Sequence, residues 1–237
     1  GAVLAILLGI SFPNLPYGGV MVMAMLFAFG SLMAILGLAY ALDRSLATNT
    51  IILIGVIFTM FASSVMSLLI AFSGEKLKSI TFWTMGSLAG STYQNALTLV
   101  IALVLAGGAL LTRARALNAF AVGEENARHL GVDVRRVKLV VLIAVSALIG
   151  VCVSIGGSIG FVGLAVPHMT RMLTGPNHRR LLPASLFLGA IFLMLADLAA
   201  RMALRPIELP LGVVTSLVGS AVFVLIFYRA GKARVGA

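Results

Sequence analysis

The chain has 237 residues, 61% of them hydrophobic and only 10% charged, with a mean hydropathy of +1.13 and a formal net charge of +10. Soluble domains carry about 25% charged and about 45–50% apolar residues, so a soluble globule is excluded, and so is a disordered chain, which needs low hydrophobicity. Its one cysteine, Cys152, sits in an apolar run and permits neither an internal disulfide framework nor a zinc cluster, and the basic excess reads as positive-inside bias rather than a nucleic-acid surface.

In chain order, Gly1–Ile10 is apolar but short of the roughly 20 residues that a helical span requires. It begins with neither a signal peptide nor an initiator Met, and is expected to be the tail of a helix whose front lies outside this sequence. Six segments reach span length: Gly19–Ala41, Ile51–Phe72, Ala96–Leu111 (extended by Ser91–Asn95), Val137–Ile155, Leu181–Ala200 and Leu211–Tyr228. Solid apolar runs without alternation predict helices, not a lipid-facing barrel.

Gly160–Leu173 is shorter and contains Pro167. If it crosses, only Lys76, Lys78, Arg201 and Arg205 of the 17 Lys and Arg lie on one side. If it does not, the basic residues divide almost evenly. The first arrangement obeys the positive-inside rule, giving seven crossings after the Gly1–Ile10 stub and a cytoplasmic C-terminus.

The largest polar island, Arg113–Arg136, falls on the cytoplasmic side of that arrangement. Within it, Glu124–Gly131 reads as one short helix with acids at its N-terminal end and Arg128 and His129 at its C-terminal end, matching the helix dipole. Glu124 and Arg128 are spaced to pair, and Gly131 suits the residue just past the helix. A helix this short is marginal alone, so it is either docked on a partner or a capped turn on the membrane surface. Thr174–Arg180 reads as a turn. Trp83 reads as an interfacial aromatic, and Gly86 and Gly90 have the spacing of a helix-packing pair. Asp197 and Arg201 are expected to pair with each other near the outer end of their helix. Gly156, Gly157, Gly160 and Gly163 read as a tight connection between helices. His168 reads as a packing residue.

The chain has no G-x-x-x-x-G-K-[ST] phosphate loop, no metal-ligand spacing around its three histidines and no carboxylate pair at membrane depth. It is expected to be no enzyme, with no catalytic residue, no metal and no cofactor of its own.

Gly160-Phe161-Val162-Gly163-Leu164-Ala165-Val166-Pro167-His168 resembles the signature of binding-protein-dependent ABC importer permeases for iron-siderophores, heme and vitamin B12. The likeness continues, in order, through Phe82–Ser87, Ala127–Val132, His178–Pro183, Ala196–Arg201 and Glu208–Thr215. Such permeases look like ten-helix proteins. The resemblance therefore implies an all-α, polytopic transmembrane helical bundle of the type II ABC importer class. It would form one permease domain over 1–237, with its coupling segment at 113–136 and about two and a half helices missing at the front.

The resemblance also implies roles. Glu124, Glu125, Arg128, His129, Leu130 and Gly131 would dock into a separate ATPase subunit, which would hold ATP and magnesium. Ala47, Thr48 and Asn49 would help form a cytoplasmic gate at the axis of a homodimer, and the Ile51–Phe72 helix would line the pathway. Arg201 would face an extracytoplasmic substrate-binding protein. The working unit would be two permeases, two ATPases and one binding protein in a bacterial cytoplasmic (inner) membrane. An iron chelate, siderophore or heme, is the expected cargo, with vitamin B12 next. A different class, an ion-coupled secondary transporter, would need coupling-ion residues near the midplane and broken helices there, and the sequence displays neither.

Overall fold

A computed structural model describes residues 1–10, 18–43, 48–204, 206 and 208–235. Among these residues every regular element is helical. The helices are α1 (Ala2–Leu8), α2 (Gly18–Leu42), α3 (Thr48–Ala71), α4 (Leu77–Met85), α5 (Tyr93–Thr112), α6 (Ala114–Phe120), α7 (Glu124–His129), α8 (Val134–Gly156), α9 (Val162–Thr174), α10 (His178–Met202) and α11 (Leu211–Val235). Five described helices are long and apolar enough to cross a bilayer: α2, α3, α5, α8 and α10. The apolar part of α11, Leu211–Val224, is shorter. Five of the six expected spans are present at span length among the described residues, with ends displaced by a few residues; the sixth, expected over Leu211–Tyr228, is helical but its apolar part is short of that length.

The five long helices have few buried residues, α3 and α5 fewest, and leave many apolar side chains exposed. In water that surface would be prohibitive; in hydrocarbon it is satisfied. The hydroxyls of Thr59, Ser64 and Ser67 on α3 donate to carbonyls one turn back in their own helix, at 2.7–3.0 Å, so they add no unmet polarity. Inside α5, residues Leu103–Gly107 form a π turn, which the apolar pattern did not foretell.

The chain divides into two compact units, and each is described by itself. The first comprises Gly1–Thr81 and Ser91–Ile155, the second Phe82–Gly90 and Gly156–Ala237. In the first, α1 packs on α2 and α2 on α3, with Ala39 and Ile54 buried between the latter two. In the second, α9, α10 and α11 pack on one another around Ala196, Ala200, Leu211 and Val214.

The second unit has a backbone junction in place of a large side-chain core. The Ser87 amide donates to the Gly156 carbonyl at 2.9 Å, and the Leu211 amide to the Gly86 carbonyl at 3.0 Å. A Cβ on Gly157 would stand 2.3 Å from the Trp83 carbonyl oxygen, and one on Gly212 2.3 Å from that of Met85. Gly156, Gly157 and Gly160 thus belong to the tight connection the sequence suggested, whereas Gly163, expected there too, lies inside α9.

Gly86 and Gly90 are not a helix-packing pair, which corrects that expectation. Helix α4 stops at Met85, Gly86 turns left-handed at φ 75°, and Gly90 has open space around it. Helix α9, the expected short crossing, has 13 residues. At 1.5 Å per residue it rises about 20 Å, less than a hydrocarbon core of about 30 Å. It is entered through Phe161, a non-glycine residue at φ 65° whose side chain lies against Gly219.

Candidate functional site

The segment expected to couple, 113–136, begins where α5 ends. Helix α6 is anchored by the fully buried Ala114, and a chain of turns leads to Gly123, where φ reaches 110°. The Asn126 side-chain amide donates to the Val122 carbonyl at 2.8 Å and fastens that turn to α7. At the other end the Val132 amide donates to Ala127 and the Gly131 amide to Arg128, at 3.0 and 2.9 Å. This paired closure is a Schellman motif, with Gly131 left-handed at φ 78° as the residue past the cap. The expected Glu124–Gly131 helix is therefore Glu124–His129, with Leu130 as its cap and Gly131 in the anticipated role.

Helix α7 has two sides. Inward, Ala127 is fully buried and Glu124 half-buried. Outward, Glu125, Arg128 and His129 are exposed together with two apolar residues, Val122 at 67% and Leu130 at 71%. Val122 lies within the 113–136 segment but outside the six residues named for docking; only a helical projection extended one turn back would have added it.

The Glu124 carboxylate departs from expectation. It is bonded not to Arg128 but to Lys138 of α8, at 2.7 Å, and to the Thr48 hydroxyl at the first residue of α3. Arg128 contributes only a longer-range attraction. Burial alone would raise the pKa of Glu124, but the hydrogen bonds from Lys138 and Thr48, with the charges of Lys138 and Arg128, outweigh it and hold the carboxyl below its ordinary value. Local sequence could suggest the Arg128 pair because it is four residues away. Lys138 and Thr48, 14 and 76 residues away, meet Glu124 only through the fold.

This tether brings together two sites that the sequence had kept separate. Thr48 and Asn49, candidate gate residues, are exposed at the start of α3, and Ala47 lies outside the described residues. Thr50 donates to Asp43 at 3.3 Å, linking the two ends of the α2–α3 connection. The Arg135 guanidinium lies 4.9 Å from the centroid of the Tyr40 ring, joining the start of α8 to the end of α2. Through Tyr40, Thr48 and Lys138, the region around α7 is fixed to the ends of three spans.

Arg201, near the end of α10, gives Nε to Asp197 at 2.8 Å and Nη2 at 3.4 Å, the expected pair four residues apart. Its side chain is 41% exposed, so it stays reachable. His168 meets Phe223 edge-on at 6.0 Å, a packing contact. No group of three or more metal-ligating side chains occurs among the described residues.

The model of the FecCD transport family matches residues 1–229. The chain belongs to the FecCD transport family. It is 40% identical over 229 residues to an uncharacterized ABC transporter permease, YvrB, of Bacillus subtilis, covering 97% of this chain and 65% of that one. It is 41% identical over 191 residues to BtuC, a vitamin B12 import system permease of Vibrio cholerae, covering 78% of this chain and 56% of BtuC. It is 36% identical over 232 residues to MolB, a molybdate import system permease of Haemophilus influenzae, covering 97% of this chain and 66% of MolB. Among solved structures it resembles, with a TM-score of 0.88 and 35% identity, an inward-facing conformation of a transporter assigned to the metal-chelate ABC type, over 97% of this chain and 71% of that one. The chain thus spans roughly two thirds or less of the curated relatives' length. The all-α polytopic permease fold expected from the sequence is the fold of this family.

Proposed function

We propose that this chain is the membrane-spanning permease subunit of an ATP-driven importer. Family membership across residues 1–229 supports this reading most directly. The architecture of α7 supports it too: a helix too short to persist alone is held from behind by Ala127 and Glu124 and presents a mixed apolar and charged outer face. In this reading a separate ATPase subunit binds that face through Val122, Glu125, Arg128, His129 and Leu130, and supplies ATP and magnesium. A binding protein meets the partly exposed Arg201, and two permeases pair with their exposed α3 helices lining the path. The subunit itself catalyses nothing and sits in the bacterial inner membrane with a cytoplasmic C-terminus.

The cargo in this proposal is a metal chelate, an iron-siderophore or heme. The structural neighbour's metal-chelate type supports the class. Vitamin B12 is the second reading, favoured by the relatives named as B12 permeases. Relatives of similar identity are named for different cargoes, so this reading puts selection on the binding protein. Co-expression with a candidate ATPase tests the assignment: wild type is expected to co-purify with it and Arg128→Glu to lose it. Equal recovery from both would contradict the docking role of α7.

A further inference from the structure

A second feature of the coupling segment is unrelated to the Glu124 tether. The end of α5, the start of α6 and the start of α8 enclose a recess of about 390 Å³, lined by Thr112, Arg113, Arg115, Gly131, Asp133 and Arg136 among others. Three arginines and one aspartate are thus among its lining residues. That carboxylate is already engaged: Asp133 Oδ1 accepts from the Arg136 amide at 3.0 Å, capping α8, and Oδ2 lies 3.7 Å from Arg136 Nε. Among the described residues, no ion pair joins Arg113 or Arg115 to a carboxylate. Moreover, Arg113 Nε is buried with no hydrogen-bond partner. A buried unsatisfied donor costs more than a hydrogen bond contributes, and one on a charged group costs most.

The place of the recess narrows the ligand. Arg113 directly follows Thr112, the last residue of the apolar span α5, and Asp133 directly precedes the apolar α8. The guanidinium groups therefore stand where two spans leave the hydrocarbon, at the depth of lipid phosphates. Guanidinium offers a planar fork that matches phosphate oxygens, and basic pockets between helices at this level take anionic headgroups.

We propose that this recess binds a phosphate group, carried by an anionic phospholipid headgroup or by soluble phosphate. Neither the importer reading nor the docking of α7 is needed for it. The test is native mass spectrometry of the delipidated full chain, titrated separately with phosphatidylglycerol, phosphatidylcholine and inorganic phosphate. Wild type is expected to retain one phosphatidylglycerol in preference to phosphatidylcholine. Arg113→Gln with Arg115→Gln is expected to weaken retention by about fivefold per arginine removed, and Arg171→Gln, outside the recess, to leave it unchanged. The exposed Arg115→Gln alone reports the same loss in smaller measure should the double variant not fold. Displacement of the lipid by inorganic phosphate would assign the site to soluble phosphate. Equal retention of both lipids with no phosphate bound, or undiminished retention by the Arg115 variant, would overturn the proposal.

Discussion

Glu124 is subject to opposed effects, and their balance fixes a sign. Burial disfavours its charge; Lys138 and Thr48 favour it more, so its carboxyl is held below the ordinary value. A depressed carboxylate contributes stability that is complete above its unfolded value, about pH 4.3, and is lost as pH falls through the folded one. Glu124→Gln is therefore expected to lower the thermal midpoint at neutral pH, with the gap to wild type closing below about pH 4. A gap constant down to acid pH would show that the tether is not ionic. Because the pair is only partly exposed, its coupling with Lys138→Met in a double-mutant cycle is expected near 1 kcal/mol. Gly131 is a separate case: a Cβ there meets nothing within 4 Å, so its only penalty is the left-handed backbone. Gly131→Val is expected to cost about 1–2 kcal/mol, read as frayed α7 and lost ATPase co-purification while membrane insertion persists. For Arg201→Glu, a second acid four residues from Asp197 removes the intrachain pair as well as the outward charge. Affinity for the binding protein is expected to fall by about tenfold, a rim-like loss; unchanged affinity would remove Arg201 from that interface.

At the scale of elements, the glycine junction of the second unit makes the sharper prediction. Gly212→Ala would place a Cβ 2.3 Å from one backbone carbonyl oxygen and 2.8 Å from another, neither able to swing aside. It is expected to destabilise the protein by about 1–3 kcal/mol, whereas Gly37→Ala, in open space on α2, should change stability by less than about 0.5 kcal/mol. Detergent-solubilised thermal unfolding of both checks this. The spans themselves were legible because bilayer thickness dictates apolar length, and helix termini declare themselves through residues such as Gly131. The Glu124–Lys138–Thr48 cluster was not legible, since contacts between distant segments leave no periodic trace. Nor was the broken Gly86–Gly90 spacing, because four residues imply one helix face only if the helix continues, and α4 ends between Met85 and Gly86. The π turn in α5 had no sequence signal of its own.

Across the molecule, family membership and the two-sided α7 converge on one account: the helix proposed to meet the ATPase is tied to the first residue of the candidate gate helix, so force at one would be delivered to the other. The tether and the outer face are thereby separable. Glu124→Gln is expected to keep the ATPase bound yet uncouple hydrolysis from transport, while Arg128→Glu is expected to lose the ATPase itself. The most direct measurement is ATP-dependent accumulation of a labelled iron chelate in proteoliposomes holding the full chain, its ATPase and its loaded binding protein. The account predicts accumulation by wild type that stops when ATP is withheld and is absent from Arg128→Glu. Accumulation driven by an ion gradient without ATP, or undiminished in Arg128→Glu, would contradict it.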